Sequence, residues 1–332
     1  MAGHARGPAI SAVVPTLGAS PWLASCLRAL RREGEGRQLE ILVVDQGPAP
    51  SELPAGLADR LLRLPRPRGF AHANNHAIAL ARGELIATVN DDAVVAEGWL
   101  AALLVALDAH PEAGAVQGTN LTFDQPPRID GRGLAWNRCW QAVQIDRGKA
   151  PQGAPARGST TREIFGVSAT AALYRRAALE AACGVPRGAA LRSVFEPRLG
   201  SYYEDVELAI RLRRAGWSAR WVAPATARHA GSTSGARRGL GSRPWIYGNR
   251  LLVLARLFGR AFWPRLPRLL LRDAIDLWHA VAGLEAPAAA GILAGWGRAT
   301  VRLPRFVHRG APLVPPVELA RFRTASWPEP AA

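Results

Sequence analysis

A chain of 332 residues with 48% apolar content can bury the core of one large domain or two modest ones. Its three cysteines, Cys26, Cys139 and Cys183, are widely spaced with no Cys-x-x-Cys pair, which argues against a disulfide framework or a thiolate zinc site and suits a reducing compartment. The net charge of +16 is uneven: Ala236 to Ala332 hold 15 Arg against 5 acids, and a basic tail asks for an anionic partner, either a membrane surface or nucleic acid.

Met1 to Pro8 contains no apolar signal-peptide core and leads into a first strand, Ala9 to Thr16, halted at Pro15. Ser20 and Pro21 read as the cap and first position of a helix reaching about Arg32. Leu39 to Asp45 predicts a second strand with a carboxylate at its carboxyl end, and Arg60 to Pro65 a short third. Gly69 to Arg82 has helical spacing closed by Gly83, and Leu85 to Val89 is a buried strand opening onto Asn90-Asp91-Asp92. Gly98 to His110 predicts a helix, and Gly114 to Gln117 begins a fifth strand. This alternation predicts an α/β fold with a mostly parallel, doubly wound sheet, whose ligands bind at the carboxyl ends of the strands.

Periodicity fails from Asn120 to Thr161, which reads as a long functional loop region. Order returns with Ile164 to Tyr174, a helix from about Arg175, another from about Tyr203 to Gly216, and a strand from Trp217 to Val222. The composition changes after Gly231-Ser-Thr-Ser-Gly235. Tyr247 to Phe258 and Leu269 to Val281 are basic amphipathic stretches, the second carrying a stripe of Leu270, Ala274, Leu277, Trp278 and Val281. Five of the eleven Trp lie in this tail: Trp245, Trp263, Trp278, Trp296 and Trp327. Such helices suit an interfacial membrane contact, and equally a pair of helices packed on the main domain. The longest apolar candidate for a membrane span, Ala280 to Trp296, is broken by Glu285 and Pro287.

Four polar features converge on the sheet's carboxyl edge: Asp45, the Asn90-Asp91-Asp92 triplet, Glu204-Asp205 and His229. Each has a bland reading. Asp45 suits a turn, Glu204 and Asp205 suit the start of a helix, and the triplet could cap the next helix. Adjacent carboxylates at a strand end otherwise call for a cation between them.

Their order carries a resemblance. Val13-Val14-Pro15-Thr16, Val43-Val44-Asp45, Arg68-Gly-Phe-Ala-His-Ala-Asn-Asn75 and Val89-Asn-Asp-Asp-Ala93 are followed by Gly98-Trp99-Leu100, Tyr203-Glu-Asp-Val-Glu-Leu208, Arg211 to Trp217, and His229. From about Ile10 to Ser234 the chain resembles the family 2 glycosyltransferases with a GT-A fold, in particular bacterial rhamnosyltransferase-like members, and Gly248 to Leu252 is similar to the family's usual continuation. The resemblance implies that Pro15, Thr16, Asp45 and Asn74 line the nucleotide side of the cleft, joined there by Asn90 and Asp91. It implies that Asp92 and His229 bind Mg²⁺ or Mn²⁺ against the diphosphate, and that Asp205 is the base activating the acceptor hydroxyl, with inversion. Asn90 departs from the family's D-x-D element in offering only a neutral oxygen, Glu207 stands where many relatives have Asp, and His72 and His76 have no assigned role.

The expectation is a glycosyltransferase body over 1–235, its nucleotide-sugar half about 9–118 and its acceptor half about 119–235, followed by a basic helical tail over 236–332. The donor would be a nucleotide sugar such as dTDP-rhamnose, and the acceptor a cell-surface glycan or polyprenyl-linked sugar. The enzyme would be cytoplasmic and peripheral at the inner face of the membrane, with no nucleic-acid partner. Two other functions compete. One is a nucleic-acid-binding protein acting through the tail. The other is a sugar-phosphate nucleotidyltransferase, disfavoured by the lack of a Gly-rich phosphate loop followed by Lys.

Overall fold

The computed structural model describes residues 9–18, 20–51, 53–151, 160–231, 240–307 and 310–324. The early elements fall where the pattern places them: β1 (Ile10–Thr16), α1 (Leu23–Glu33), β2 (Leu39–Asp45), β3 (Arg60–Arg63), α2 (Phe70–Ile78) and β4 (Leu85–Val89). Strands β3, β2, β1 and β4 lie side by side in that order, all parallel. Alternate residues of these strands enter opposite layers. Ala12, Val14, Ile41 and Val43 pack with α1 and α3 (Trp99–Ala109). Val13, Leu42, Val44 and Ile86 pack with α2, α4 (Arg176–Cys183) and α5 (Glu204–Arg214). The result is the expected α/β architecture, a mostly parallel central sheet between helices.

Two predicted helix ends move, for reasons outside the helices. Helix α1 starts at Leu23, because the Ser20 hydroxyl bonds the Asp91 carbonyl at 3.2 Å and accepts from the Trp22 amide, forming a turn. Helix α2 stops at Ile78 rather than Arg82. There Glu40 takes the Arg82 amide at 2.7 Å and the Ser11 hydroxyl takes the Gly83 amide at 2.8 Å, drawing the chain toward β1. Gly83 is therefore not a helix cap. A Cβ at that position would sit 2.5 Å from the Ser11 nitrogen, so only glycine allows the approach.

Beyond α3 the sheet continues through β6 (Ala113–Thr122), β11 (Ala171–Arg175), β12 (Ser218–His229) and β10 (Thr161–Ile164). Strand β11 runs antiparallel between β4 and β6, and β12 runs parallel to β6. The stretch predicted as loop after Asn120 instead carries the end of β6 and three short strands, β7 (Ile129–Gly131), β8 (Leu134–Trp136) and β9 (Ala142–Gln144). Three-residue strands are too short to show a period. Residues 152–159 of that stretch lie outside the described residues. Strand β12 outruns its predicted end at Val222 and delivers His229 as its own last residue, antiparallel to β5 (Ala93–Val95).

The tail folds as α6 (Arg243–Phe258), α7 (Phe262–Ala282), α8 (Ala286–Arg302) and the short α9 (Pro316–Ala320). Pro287, which interrupts the apolar run, sits in the first turn of α8, where its missing N–H costs nothing. Leu252, Leu254, Phe258 and Phe262 share a third cluster with Trp136, Phe165, Tyr203 and Val206 of the body. Of the predicted stripe on α7, Leu270, Ala274 and Leu277 are half-buried, whereas Trp278 and Val281 are exposed. No helix among the described residues is long and apolar enough to cross a membrane. The predicted boundary at Gly235 and Trp327 lie outside the described residues.

Candidate active site

Parallel pairing sets Thr16 level with Asp45, and β4 ends beside them. Pro15 is tolerated in the centre of the sheet because the pairing of β1 with β4 has ended by Val13. Thr16 donates to Asp91 Oδ2 at 2.6 Å and accepts from the Gly18 amide at 3.0 Å, so the β1 loop is fastened to the acidic triplet. Asp45 is fully buried and accepts from the amides of Gly47 and Ser51, both at 2.7 Å, and from Arg63 at 2.6 Å. Against burial, which would raise it, these donors hold its carboxyl below the usual range. These bonds also fold the loop after β2, and Arg63 is a partner that sequence reasoning missed.

Across the cleft, Asp92 Oδ1 lies 3.2 Å from His229 Nε2, and His229 Nδ1 lies 2.9 Å from Asp130 Oδ2. The Ala230 amide bonds the Asp92 carbonyl at 3.0 Å, locking the end of β12 to the triplet. Burial would lower the imidazole, but Asp130 and Asp92 together push it up to about 9. Asp91 is pushed up to about 6 by burial, against the Thr16 hydrogen bond and with the help of Asp92. Asp130 was missed because it lies on β7, inside the stretch that looked like loop. Trp22 and Phe123 stack at 4.0 Å and 18°, joining the segment after β1 to the end of β6.

The donors fit a hard divalent ion. Adjacent ligands of an octahedral ion with bonds of about 2.1 Å lie roughly 3.0 Å apart, close to the Asp92–His229 separation. Asn90 Oδ1, two residues before Asp92 in the chain, is buried with no hydrogen-bond partner. A metal held by Asp92 and His229 alone would keep open positions for other oxygens, and no group of three or more His, Cys, Asp or Glu able to hold a metal occurs among the described residues. A carboxylate on the far nitrogen of a ligating His fixes its ring and tautomer, the arrangement Asp130 supplies.

Asp205 opens α5, and its carboxylate accepts from the amides of Val206 (2.8 Å) and Ala169. The next residue, Thr170, accepts the Asn90 amide at 2.8 Å. The segment Ala169–Thr170 therefore links Asn90 to Asp205, 115 positions away in the chain. Burial pushes Asp205 up to about 6 and also raises the adjacent Glu204, whose Oε2 has no hydrogen-bond partner.

The loop before α5 is held from two sides. Tyr202 and Tyr203 have φ of 67° and 68°, a left-handed conformation that non-glycine residues resist. The Asn249 amide of α6 reaches the carbonyls of Leu199, Ser201 and Tyr202 at 3.0, 2.9 and 2.7 Å, and Arg298 bonds Asn249 Oδ1 at 3.0 Å. From the other side the Ala71 amide bonds the Gly200 carbonyl at 2.9 Å. Asn75 clasps the Phe195 backbone through both its Nδ2 and Oδ1. Asn74 is buried, bonds Phe70 through Nδ2 and keeps Oδ1 unpartnered. Glu207 is a framework residue: it bonds Arg211 at 2.8 Å and Arg256 of α6 at 2.6 Å while 1% exposed. Glu207→Ala would leave two cations without their shared carboxylate, and should lower unfolding stability by about 3–5 kcal/mol in a denaturant titration.

Residues 11–182 match the family described as "Glycosyl transferase family 2". An uncharacterised Sinorhizobium fredii protein, y4gI, is 26% identical over 239 residues, 68% of this chain and 25% of its own, so the chain spans about a quarter of that curated relative. Among solved structures, GalNAc-T7 with UDP, GalNAc and Mn²⁺ superposes over 92% of this chain and 56% of its own, with 13% identity and a TM-score of 0.55. S. aureus TarS 1-349 does so over 90% and 80%, with 15% identity and a TM-score of 0.50. At such identities the likeness is one of fold.

Proposed function

Because the chain belongs to glycosyl transferase family 2, we propose that it is an inverting, metal-dependent transferase moving a sugar from a nucleoside-diphosphate donor to an acceptor hydroxyl. The observation that supports this reading is the chain of contacts at the carboxyl ends of the strands: Thr16 to Asp91, Asp92 to His229, and Asn90 to Thr170, which follows the Ala169 backbone that meets Asp205. Asp92 and His229 would hold Mg²⁺ or Mn²⁺; when bound, the ion neutralises charge on the departing diphosphate. Asp45, Pro15, Thr16 and Asn74 shape the nucleotide side. Asp205 takes the proton as the acceptor oxygen bonds the anomeric carbon from the face opposite the diphosphate. The carbon–oxygen bond to the diphosphate breaks, its electron pair leaves with the diphosphate, and the configuration inverts.

Residues 9–235 carry the transfer, and the tail buttresses the loop before Asp205. The donor is proposed as dTDP-rhamnose and the acceptor as a lipid-linked, cell-surface glycan at the inner face of the membrane, a reading that rests on the motif resemblance and the basic tail. A panel of nucleotide sugars with Mg²⁺ or Mn²⁺ tests it. Release of a nucleoside diphosphate with one donor is expected, and no release with any donor would sink the reading. Asp130→Asn should weaken Mn²⁺ binding about 10–100-fold, read from the free-ion signal in electron paramagnetic resonance.

A further inference from the structure

A cavity of about 370 Å³ lies between α7, α9 and the loop after β8, lined by Trp140, Arg265, Arg268, Leu269, Val317 and Arg323 among others. Three arginines line it, and among the described residues no Asp or Glu does. Some tail arginines are ion-paired, Arg250 to Asp273, Arg256 to Glu196 and Glu207, and Arg272 to Asp276, whereas Arg265, Arg268 and Arg323 form no ion pair with the described residues. Arg323 is fixed over the Trp140 ring at 4.3 Å, because the Thr324 amide and the Phe322 carbonyl bond Trp136 on β8. Arg265 is steadied by the Ala261 carbonyl at 2.9 Å. Like charges held together without a counter-charge call for an anion. The apolar walls, Leu269 and Val317, call for an anion attached to something apolar.

A second observation says what. Beside the cavity, α7 turns Leu271, Ile275 and Trp278 outward at i, i+4 and i+7, continued by Val281 and Leu284, with Trp278 69% and Leu284 90% exposed. An exposed apolar ridge next to an anion site is the geometry of a helix lying in a bilayer interface. We propose that the cavity binds the phosphate headgroup of a lipid while the α7 ridge enters the bilayer surface. The shared chemistry is a phosphate ester on a lipid, from bulk anionic phospholipid or from a lipid-phosphate acceptor. Trp140, in the cavity wall, belongs to the same apolar cluster as Tyr203. The inference builds on the membrane placement proposed above.

Flotation of the full chain with vesicles separates the two. Wild type should bind vesicles containing phosphatidylglycerol and bind purely zwitterionic vesicles far more weakly. Arg268 is exposed, so its replacement should not disturb folding. Arg268→Gln should weaken binding about fivefold and Arg265→Gln/Arg268→Gln roughly thirtyfold, whereas Arg28→Gln, an exposed arginine on α1, should change little. Trp278→Ser should weaken binding to every vesicle. Added inorganic diphosphate that releases the protein points to the phosphate as the recognised group. A further loss of competition when lipid phosphomonoester replaces phosphatidylglycerol points to the acceptor as the source. Failure of wild type to bind any vesicle overturns the membrane placement itself. Binding as sensitive to Arg28→Gln as to Arg268→Gln overturns the cavity while leaving the placement standing.

Discussion

Asp205→Asn is expected to lower kcat by about 10²–10⁴-fold while leaving nucleotide binding nearly unchanged. The amide keeps the shape and can still meet the Val206 and Ala169 amides through its oxygen, but cannot take a proton from an acceptor hydroxyl. In the function proposed above, the nucleotide is held around Thr16 and Asp45 rather than at Asp205. Single-turnover kinetics together with thermal shift on a nucleoside diphosphate divide the two effects. A variant with full kcat would remove Asp205 from the reaction. The same residue sets a pH limb. Burial raises Asp205 to about 6, so the basic form dominates above that value and is lost below it, and kcat should fall as pH drops through about 6. Glu204, Tyr174 and Tyr203 are the titratable groups around it, and both tyrosines are raised by burial. Glu204 is raised by burial and by the Asp205 charge, so it is neutral where Asp205 titrates, and Glu204→Gln should leave the limb near pH 6.

The second large effect is expected at the acid–histidine pair. Asp92→Ala should abolish metal-dependent binding of the donor, a loss beyond about 100-fold, since even outer partners of a metal ligand are worth 10–100-fold. Removing the carboxylate takes away the anionic donor that faces His229 at 3.2 Å. Asn90→Asp should preserve or strengthen binding, because the Asn90 oxygen is already buried and free, and a charged oxygen there adds attraction for a divalent ion. Titration of Mn²⁺ with a nucleoside diphosphate present checks both variants. An Asp92→Ala protein that binds Mn²⁺ as wild type does would remove Asp92 from the metal site, and a weaker Asn90→Asp protein would show that the neutral oxygen is required.

These two sites were legible to different degrees. Asp92 and Asp205 stood out because each is a carboxylate at a strand end or helix start that a short motif records. Asp130, Arg63 and Asn249 did not, since each acts through a partner distant in sequence: 99 residues for Asp130 with His229, and 18 for Arg63 with Asp45. Asn249 sat in a recognised motif with no visible task. Only when α6 packs against the loop at Leu199 to Tyr202 does its amide meet three carbonyls. Asp45 shows the reverse case. Its place at a strand end was plain, yet its carboxylate turns out to be engaged in folding its own loop.

Local periodicity was enough for the alternation of β1 to α3, because strand and helix periods are local and a buried parallel strand is a run of apolar residues. The sequence also marked the triplet Asn90-Asp91-Asp92 and the acid pair at Glu204. Tertiary structure decided the rest. It ended α2 early through Glu40 and Ser11, extended β12 to carry His229 to Asp92, and placed Arg265, Arg268 and Arg323 around one cavity. The physical reason is the same in each case. Hydrogen bonds and charge convergence between residues far apart in the chain leave no period in the sequence, and they exist only after the layers have packed.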